Sequence, residues 1–252
     1  MLNDIERVIR RAGNVMLSAK RIGAEEKTGS ADLVTRFDRE IQILLERELL
    51  AICPEAGFLG EEDGTTEHLE RKRVFIVDPI DGTTNFVRGF RHSCVSIALE
   101  QNGETVLGAV YNPYLDELFT AEKGRGAHLN GKPISASNRD IQHAVVLFGS
   151  SPYNHEIAAK SFRTAQALFE RGLDVRRMAS AALDLCYIAA GRGDIYFEYI
   201  LSPWDHAAGH LIVQESGAVV TDFSGSPVNN REKCSILACN KSCYGEARKL
   251  IV

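Results

Sequence analysis

The apolar positions of the chain change period several times, and each change marks an element. From Asn3 to about Gly23, Ile5, Val8, Ile9, Ala12, Val15, Met16 and Ala19 recur at three- and four-residue steps, which predicts an amphipathic helix. Phe37, Ile41, Leu44, Leu45 and Leu49 repeat the pattern and predict a second helix from around Leu33 to Ala51, ended by Cys53-Pro54. The segment 23–30 between them is polar and glycine-flanked and reads as a mobile connection. Val74-Phe75-Ile76-Val77 is a continuous β-branched and aromatic run, the pattern of a buried strand.

Two hairpin patterns follow, Ser93–Glu100 with Thr105–Tyr111, and Glu117–Ala121 with Ala127–Leu129. From Ala144 the pattern alternates. Strands are expected at Val145–Phe148, near Val175, at Ile195–Phe197, at Ala218–Thr221 and near Ile236. Helices are expected at His155–Arg171, Ala181–Ala190, Asp205–Glu215 and from Lys241 onward. A first half, 1–142, of α+β character with an antiparallel sheet thus precedes a βα-alternating half, 143–252. No repeat or low-complexity linker separates them, so the expectation is an α+β or α/β fold of two sheets sandwiched by helices and packed as one unit.

Composition narrows the function classes. The 252 residues are 44% hydrophobic and 25% charged, enough chain for a substantial core. A formal charge of −5 argues against a basic nucleic-acid footprint, so no nucleic acid is expected as a partner. The charged N-terminal stretch lacks a signal-peptide core and no run approaches a membrane span. The six cysteines form no C-x-x-C pair, and reduced thiols in a cytoplasmic protein are expected. Cys234, Cys239 and Cys243 cluster, but no fourth ligand follows at zinc spacing.

Candidate chemistry begins where the Val74 strand ends. Asp78-Pro79-Ile80-Asp81-Gly82 sets two carboxylates three residues apart as the chain leaves the sheet. Gly82 permits a tight turn, and Thr83-Thr84-Asn85 adds hydroxyls and main-chain N–H groups. Such a pattern suits a hard metal ion beside a phosphate, and equally an ordinary surface turn. Further acids stand in Gly60-Glu61-Glu62-Asp63 and in Ser202-Pro203-Trp204-Asp205, where Asp205 also fits an acidic capping box. Magnesium sites in phosphate chemistry draw carboxylates from separate elements, and capping and coordination can use different carboxylate oxygens.

Together, Gly60-Glu61-Glu62, Asp78-Pro79-Ile80-Asp81-Gly82-Thr83-Thr84-Asn85-Phe86 and Trp204-Asp205-x-Ala207-Ala208-Gly209 resemble the three signatures of the inositol monophosphatase family, in order and rough separation. The resemblance implies the layered αβαβα sandwich shared with fructose-1,6-bisphosphatase and a Mg²⁺-dependent, lithium-sensitive phosphomonoesterase, commonly a homodimer, of the bacterial inositol-1-monophosphatase type. Two or three Mg²⁺ ions are implied, with Mn²⁺ possible. By the same resemblance Glu61, Asp78, Asp81 and Asp205 would be carboxylate ligands, and Ile80 a carbonyl ligand. Gly82 and Thr83 would bind phosphate through N–H groups, while Thr83 and Asp38 orient the attacking water. Ser150, Ala181 and Glu198 match substrate-side positions, and Lys27 a position near metals and phosphate. Without the resemblance, Asp38 reads as a charged helix-surface residue.

Two departures stand out: Ala179 where the family usually carries glycine, and Gly217-Ala218 with one glycine where two are usual. Phe86 favours an inositol- or sugar-phosphate substrate over the nucleotide branch, by resemblance. Alternatives on the same scaffold are a fructose-1,6-bisphosphatase, a histidinol-phosphatase and a 3′-phosphonucleotide phosphatase. Some bacterial relatives also act as partners of the transcription and ribosome-assembly machinery, which keeps a regulatory role as the rival of another class.

Overall fold

The computed structural model describes residues 1–19, 23–29, 32–62, 70–152 and 154–252, with the backbone alone at 24, 26–29, 32 and 33. Helix α1 spans Leu2–Ser18, ending before the expected Gly23. Strands β1 (Ala24–Gly29) and β2 (Asp32–Thr35) then pair antiparallel as a small ribbon. Residues 24–29 of the expected mobile connection are therefore a strand, and Leu33 and Val34 belong to its partner rather than to the next helix. Thr35 caps that helix, α2 (Arg36–Ile52), by accepting the Phe37 N–H, a contribution of about 1 kcal/mol.

The first large sheet holds β3 (Gly57–Gly60), β4 (Arg73–Asp81), β5 (Cys94–Gln101), β6 (Glu104–Asn112), β7 (Glu117–Glu122), β8 (Ala127–Leu129) and β9 (Lys132–Ile134), ordered in space as in sequence. Among the described residues its one parallel pair is β3 with β4. Between β4 and β5 lies α3 (Thr83–Arg88), where only a turn was expected. The second sheet has the order β11-β10-β12-β14-β13. Its strands are β10 (Val145–Phe148), β11 (Asp174–Arg176), β12 (Ile195–Leu201), β13 (Val219–Thr221) and β14 (Cys234–Cys239). The intervening helices are α4 (His155–Phe169), α5 (Ala181–Ala189), α6 (Pro203–Glu215) and α7 (Lys241–Leu250).

The layers follow from strand periodicity, because successive side chains face opposite sides. Phe75 and Val77 of β4 enter a core with Ile5, Ile9, Ile41 and Leu45 of α1 and α2. Val74 and Ile76 face the other way, into a core with α5, α6, Tyr196 and Ile236. Ile195 and Phe197 of β12 meet Leu168 of α4 and Ala247 of α7. Five layers result, helix–sheet–helix–sheet–helix, with α5 and α6 in the middle. Because the β4 side chains are buried on both faces, this strand reads as a continuous apolar run.

Candidate active site

The expected end of β4 at Val77 is corrected by the structure: the strand runs on to Asp81. Asp78 pairs with Ser96 and Asp81 with Cys94, so two β4 residues lie between positions that one β5 residue separates. This extra residue is a bulge, formed where Pro79 has no N–H to give the ladder. It also resets the alternation. Residues three apart on a regular strand face opposite sides, yet here Ile80 joins the core of α1 and α2. Asp81 pairs with Cys94, whose side chain lies in the middle layer, as Val74 and Ile76 do. Both carboxylates therefore point towards α6.

Asp205 reaches the same point from the first turn of α6, where Pro203 occupies a favoured helix-start position. The Ser202 N–H donates to Asp205 Oδ2 at 2.6 Å, so the capping role predicted for Asp205 holds. A ligand oxygen from each of Asp78, Asp81 and Asp205 lies within 4.8 Å of the other two. Glu61 leaves β3 beside β4, its N–H bonded to the Val77 carbonyl at 3.2 Å.

The electrostatics of this group are unfavourable as it stands. Burial and then repulsion from Glu61, Asp81 and Asp205 hold the Asp78 carboxyl well above the usual carboxylate range. Burial, Asp81 and Glu61 do the same to Asp205. Asp81 is raised less, because its Oδ2 accepts from Ser180 Oγ and from the Ala182 N–H at 2.9 Å. Among the described residues, Asp78 Oδ1 is buried without a hydrogen-bond donor. Crowded carboxylates with an orphaned acceptor are the donor set a hard divalent cation neutralises, so the residues fit the implied metal.

Gly82 follows Asp81 with φ 83°, a left-handed conformation that starts α3. A Cβ there would also press on the carbonyl oxygens of Ala179 and His92, at 3.0 and 3.1 Å. Thr83 Oγ1 lies 3.1 Å from the Ile80 carbonyl and 3.5 Å from Asp38 Oδ1. Asp38 corrects the surface reading of its residue type: it is 1% exposed. Its Oδ2 accepts from the N–H and hydroxyl of Thr35 at 2.8 and 2.6 Å, leaving Oδ1 for Thr83. Burial raises its pKa against the lowering by those Thr35 donors.

Beside these groups opens a cavity of about 300 Å³, lined by Asp81, Gly82, Thr83, Ala181, Glu198 and Asp205 among the predicted residues. Ser150 is not on its wall. Ser151 lines it instead, with φ 43°, while Ser150 Oγ accepts from Arg177 at 3.1 Å. The side chain of Lys27 falls outside the described residues. Sequence reasoning missed Gly149, Ser151, Asp184, Arg88 and Arg177, which also line the cavity. It also missed Ser180, which lines the cavity and holds Asp81. Burial pushes Asp184 up to about 6, against the lowering influence of His92. Ala179, the departure from glycine, keeps a left-handed backbone with φ 63°. Asn85 Nδ2 donates to the Met178 and Ala179 carbonyls, at 2.7 and 3.3 Å, and braces this turn against α3.

Fold and site together define a class, a five-layer α/β sandwich with a metal-ready cluster of carboxylates at the end of a bulged strand. Within it, the chain belongs to the inositol monophosphatase family, whose model matches residues 2–251. It is 44% identical over 231 residues to the Nus factor SuhB of Vibrio cholerae, covering 89% of this chain and 86% of that protein. The crystal structure of the extragenic suppressor protein suhB of Bartonella henselae is similar with TM-score 0.92 and 35% identity, covering 99% of this chain and 97% of that one. The IMPase of Thermotoga maritima gives 0.90 and 34%, over 99% and 96%. A solved IMPase/NADP phosphatase, complexed with Mg²⁺ and phosphate, gives 0.85 and 25%, over 98% and 91%. Among the described residues no helix is long and apolar enough to cross a membrane.

Proposed function

We propose that this chain is a Mg²⁺-dependent phosphomonoesterase that hydrolyses inositol 1-phosphate to inositol and phosphate. The observation that carries the reading is the convergence of Asp78, Asp81 and Asp205 with one buried oxygen left without a donor. Glu61, Asp78, Asp81 and Asp205, with the Ile80 carbonyl, would hold two or three ions. An all-oxygen donor set suits Mg²⁺, and Mn²⁺ as a substitute. When bound, the metal supplies Lewis-acid neutralisation of phosphoryl charge and a more acidic water.

The chain's own residues orient the reaction. The N–H groups of Gly82 and Thr83 donate to phosphate oxygens. Thr83 Oγ1 accepts a hydrogen bond from the attacking water, and its own proton turns to Asp38 Oδ1, the acceptor that Thr35 leaves free. Burial of Asp38 makes that carboxylate more basic and so a better proton acceptor. On the far wall Glu198 accepts from a hydroxyl of the departing alcohol, with Ala181 beside it; Ser150 acts from behind through Arg177. Lys27 would complete the set on the phosphate side, by the family resemblance alone. The acting form in this reading is a cytoplasmic, lithium-sensitive homodimer.

The test is phosphate release from inositol 1-phosphate, fructose 1,6-bisphosphate, histidinol phosphate and 3′-phosphoadenosine 5′-phosphate, each with Mg²⁺, with EDTA and with added Li⁺. Metal-dependent, lithium-inhibited turnover led by inositol 1-phosphate supports the reading. Preference for another substrate moves the assignment to that branch, and silence on all four rejects the enzyme. One finding favours a second reading: the relatives' name, Nus factor, fits a regulatory protein contact. It also weighs against excluding nucleic acid from charge alone. Under this reading a variant with dead chemistry keeps its cellular role.

A further inference from the structure

Glu198 is held as no surface acid would be. It is 7% exposed, near the middle of β12, and faces the cavity. Its Oε1 accepts from the Ser151 N–H at 3.0 Å and from Ser151 Oγ at 3.2 Å. Its Oε2 accepts from the Tyr196 hydroxyl at 2.8 Å. Tyr196 lies two residues earlier on the same strand, hence on the same face, and is fully buried in the middle layer. Opposite, Gly149 clears the space, because a Cβ there would overlap the Glu198 carboxylate.

Above about pH 7, where Glu198 is ionised, its carboxylate offers about four acceptor positions. Ser151 takes both on Oε1 and Tyr196 takes one on Oε2, which leaves a single acceptor position on the cavity side. We infer that Tyr196 is a positioning residue: its hydroxyl pins Oε2 of Glu198 so that this last acceptor position faces the cavity and selects phosphomonoesters whose alcohol carries a hydroxyl there. The inference rests on the proposed phosphomonoesterase reading and adds a cause of selectivity to it. Burial and Glu198 hold the Tyr196 phenol well above its ordinary value, so it remains a donor at every working pH. A Tyr196 that merely filled the core would affect stability and leave substrate preference alone.

The experiment compares wild type with Tyr196→Phe in the full chain with Mg²⁺, using inositol 1-phosphate and 4-nitrophenyl phosphate, whose leaving group has no second hydroxyl. With a hydrogen bond to a charged group weakened, KM for inositol 1-phosphate should rise about tenfold with kcat within about threefold. Both parameters for 4-nitrophenyl phosphate should stay within about twofold. Ser151→Ala removes one Oε1 donor and keeps the N–H, so its rise in KM should be smaller, about threefold. If Tyr196→Phe fails to fold, Ser151→Ala decides by the same substrate ratio. Equal changes on both substrates, or none, overturn the inference while the proposed function stands. Wild type that turns over 4-nitrophenyl phosphate but not inositol 1-phosphate overturns it too. Absence of metal-dependent turnover on either substrate rejects the proposed function, and the inference with it.

Discussion

Asp78 and Glu198 are both buried acids beside one cavity, one from each sheet, yet their surroundings are opposite. Asp78 meets four other acids, Glu61, Asp81, Asp205 and Asp38, and among the described residues one of its oxygens has no donor. Glu198 meets three donors from two residues. Unpaired buried charge is costly, and the fold neutralises it in two ways. At Asp78 the compensation would come from outside, as the proposed cation. At Glu198 the protein supplies it, leaving one acceptor position for a hydroxyl. The first environment suits chemistry and the second suits recognition.

The comparison breaks most visibly at Asp81. Asp81→Asn keeps an acceptor for Ser180 and Ala182 and removes one charge from the crowd. Phosphate release with Mg²⁺ should fall by at least about 10²–10³-fold. The metal-free melting temperature should stay level or rise, because repulsion is relieved. Near wild-type turnover would remove Asp81 from the metal site. Next in size, Thr83→Val keeps the shape and deletes the hydroxyl that faces Asp38. A loss of kcat of about 10²-fold, with melting unchanged within a few degrees, is the expected outcome. A change confined to KM would instead make Thr83 a phosphate contact alone.

On the recognition side, pH separates the two acids. Burial raises Glu198 from 4.5 to about 7, helped by Asp184 and opposed by Tyr196 and Ser151. With the folded pKa above the unfolded one, the folded protein holds a proton that the unfolded chain releases above about 4.5. This stabilising contribution is complete below that value and is lost as pH rises through about 7. Glu198→Gln should therefore shrink the stability difference between pH 5 and pH 8, measured by urea unfolding, by roughly 1–3 kcal/mol. An unchanged difference would mean the carboxylate ionises freely. Gly149→Ala, read by melting and by the inositol 1-phosphate to 4-nitrophenyl phosphate ratio, should lose about 1–3 kcal/mol of stability and lower the ratio.

The smallest effect is expected at Ala179, whose left-handed backbone costs about 1–2 kcal/mol. Ala179→Gly relieves that strain but loosens the unfolded chain by about 0.4–1 kcal/mol. A net gain of about 0.5 kcal/mol should register as a slight rise in melting temperature. A fall would show that the methyl group packs usefully against α3.

Much of the fold was legible because local periodicity reports it. The helices α1, α2, α4, α5, α6 and α7 and the strand β4 lie where their apolar spacing predicted, within a few residues at most ends. The ribbon of β1 and β2 was missed because its pairing, not its composition, makes it a strand. The short α3 was missed because six residues give no periodic signal. In the site, Asp78, Asp81 and Asp205 were visible as acids in motifs that resemble a family. Ser151 in place of Ser150 was not, since a one-residue shift on a loop leaves no trace in composition.

By itself, then, the sequence determined which stretches bury which faces, which acids were available, and, through three joint motifs, the family. The tertiary structure alone decided that Asp78 and Asp81 face the same layer, because a bulge at Pro79 shifts the alternation by one residue. It alone set Asp205 against them, 124 positions after Asp81, left one Asp78 oxygen without a donor among the described residues, and gave Glu198 three donors. Those outcomes depend on contacts between distant segments, and such contacts follow from packing, which no local pattern of residues encodes.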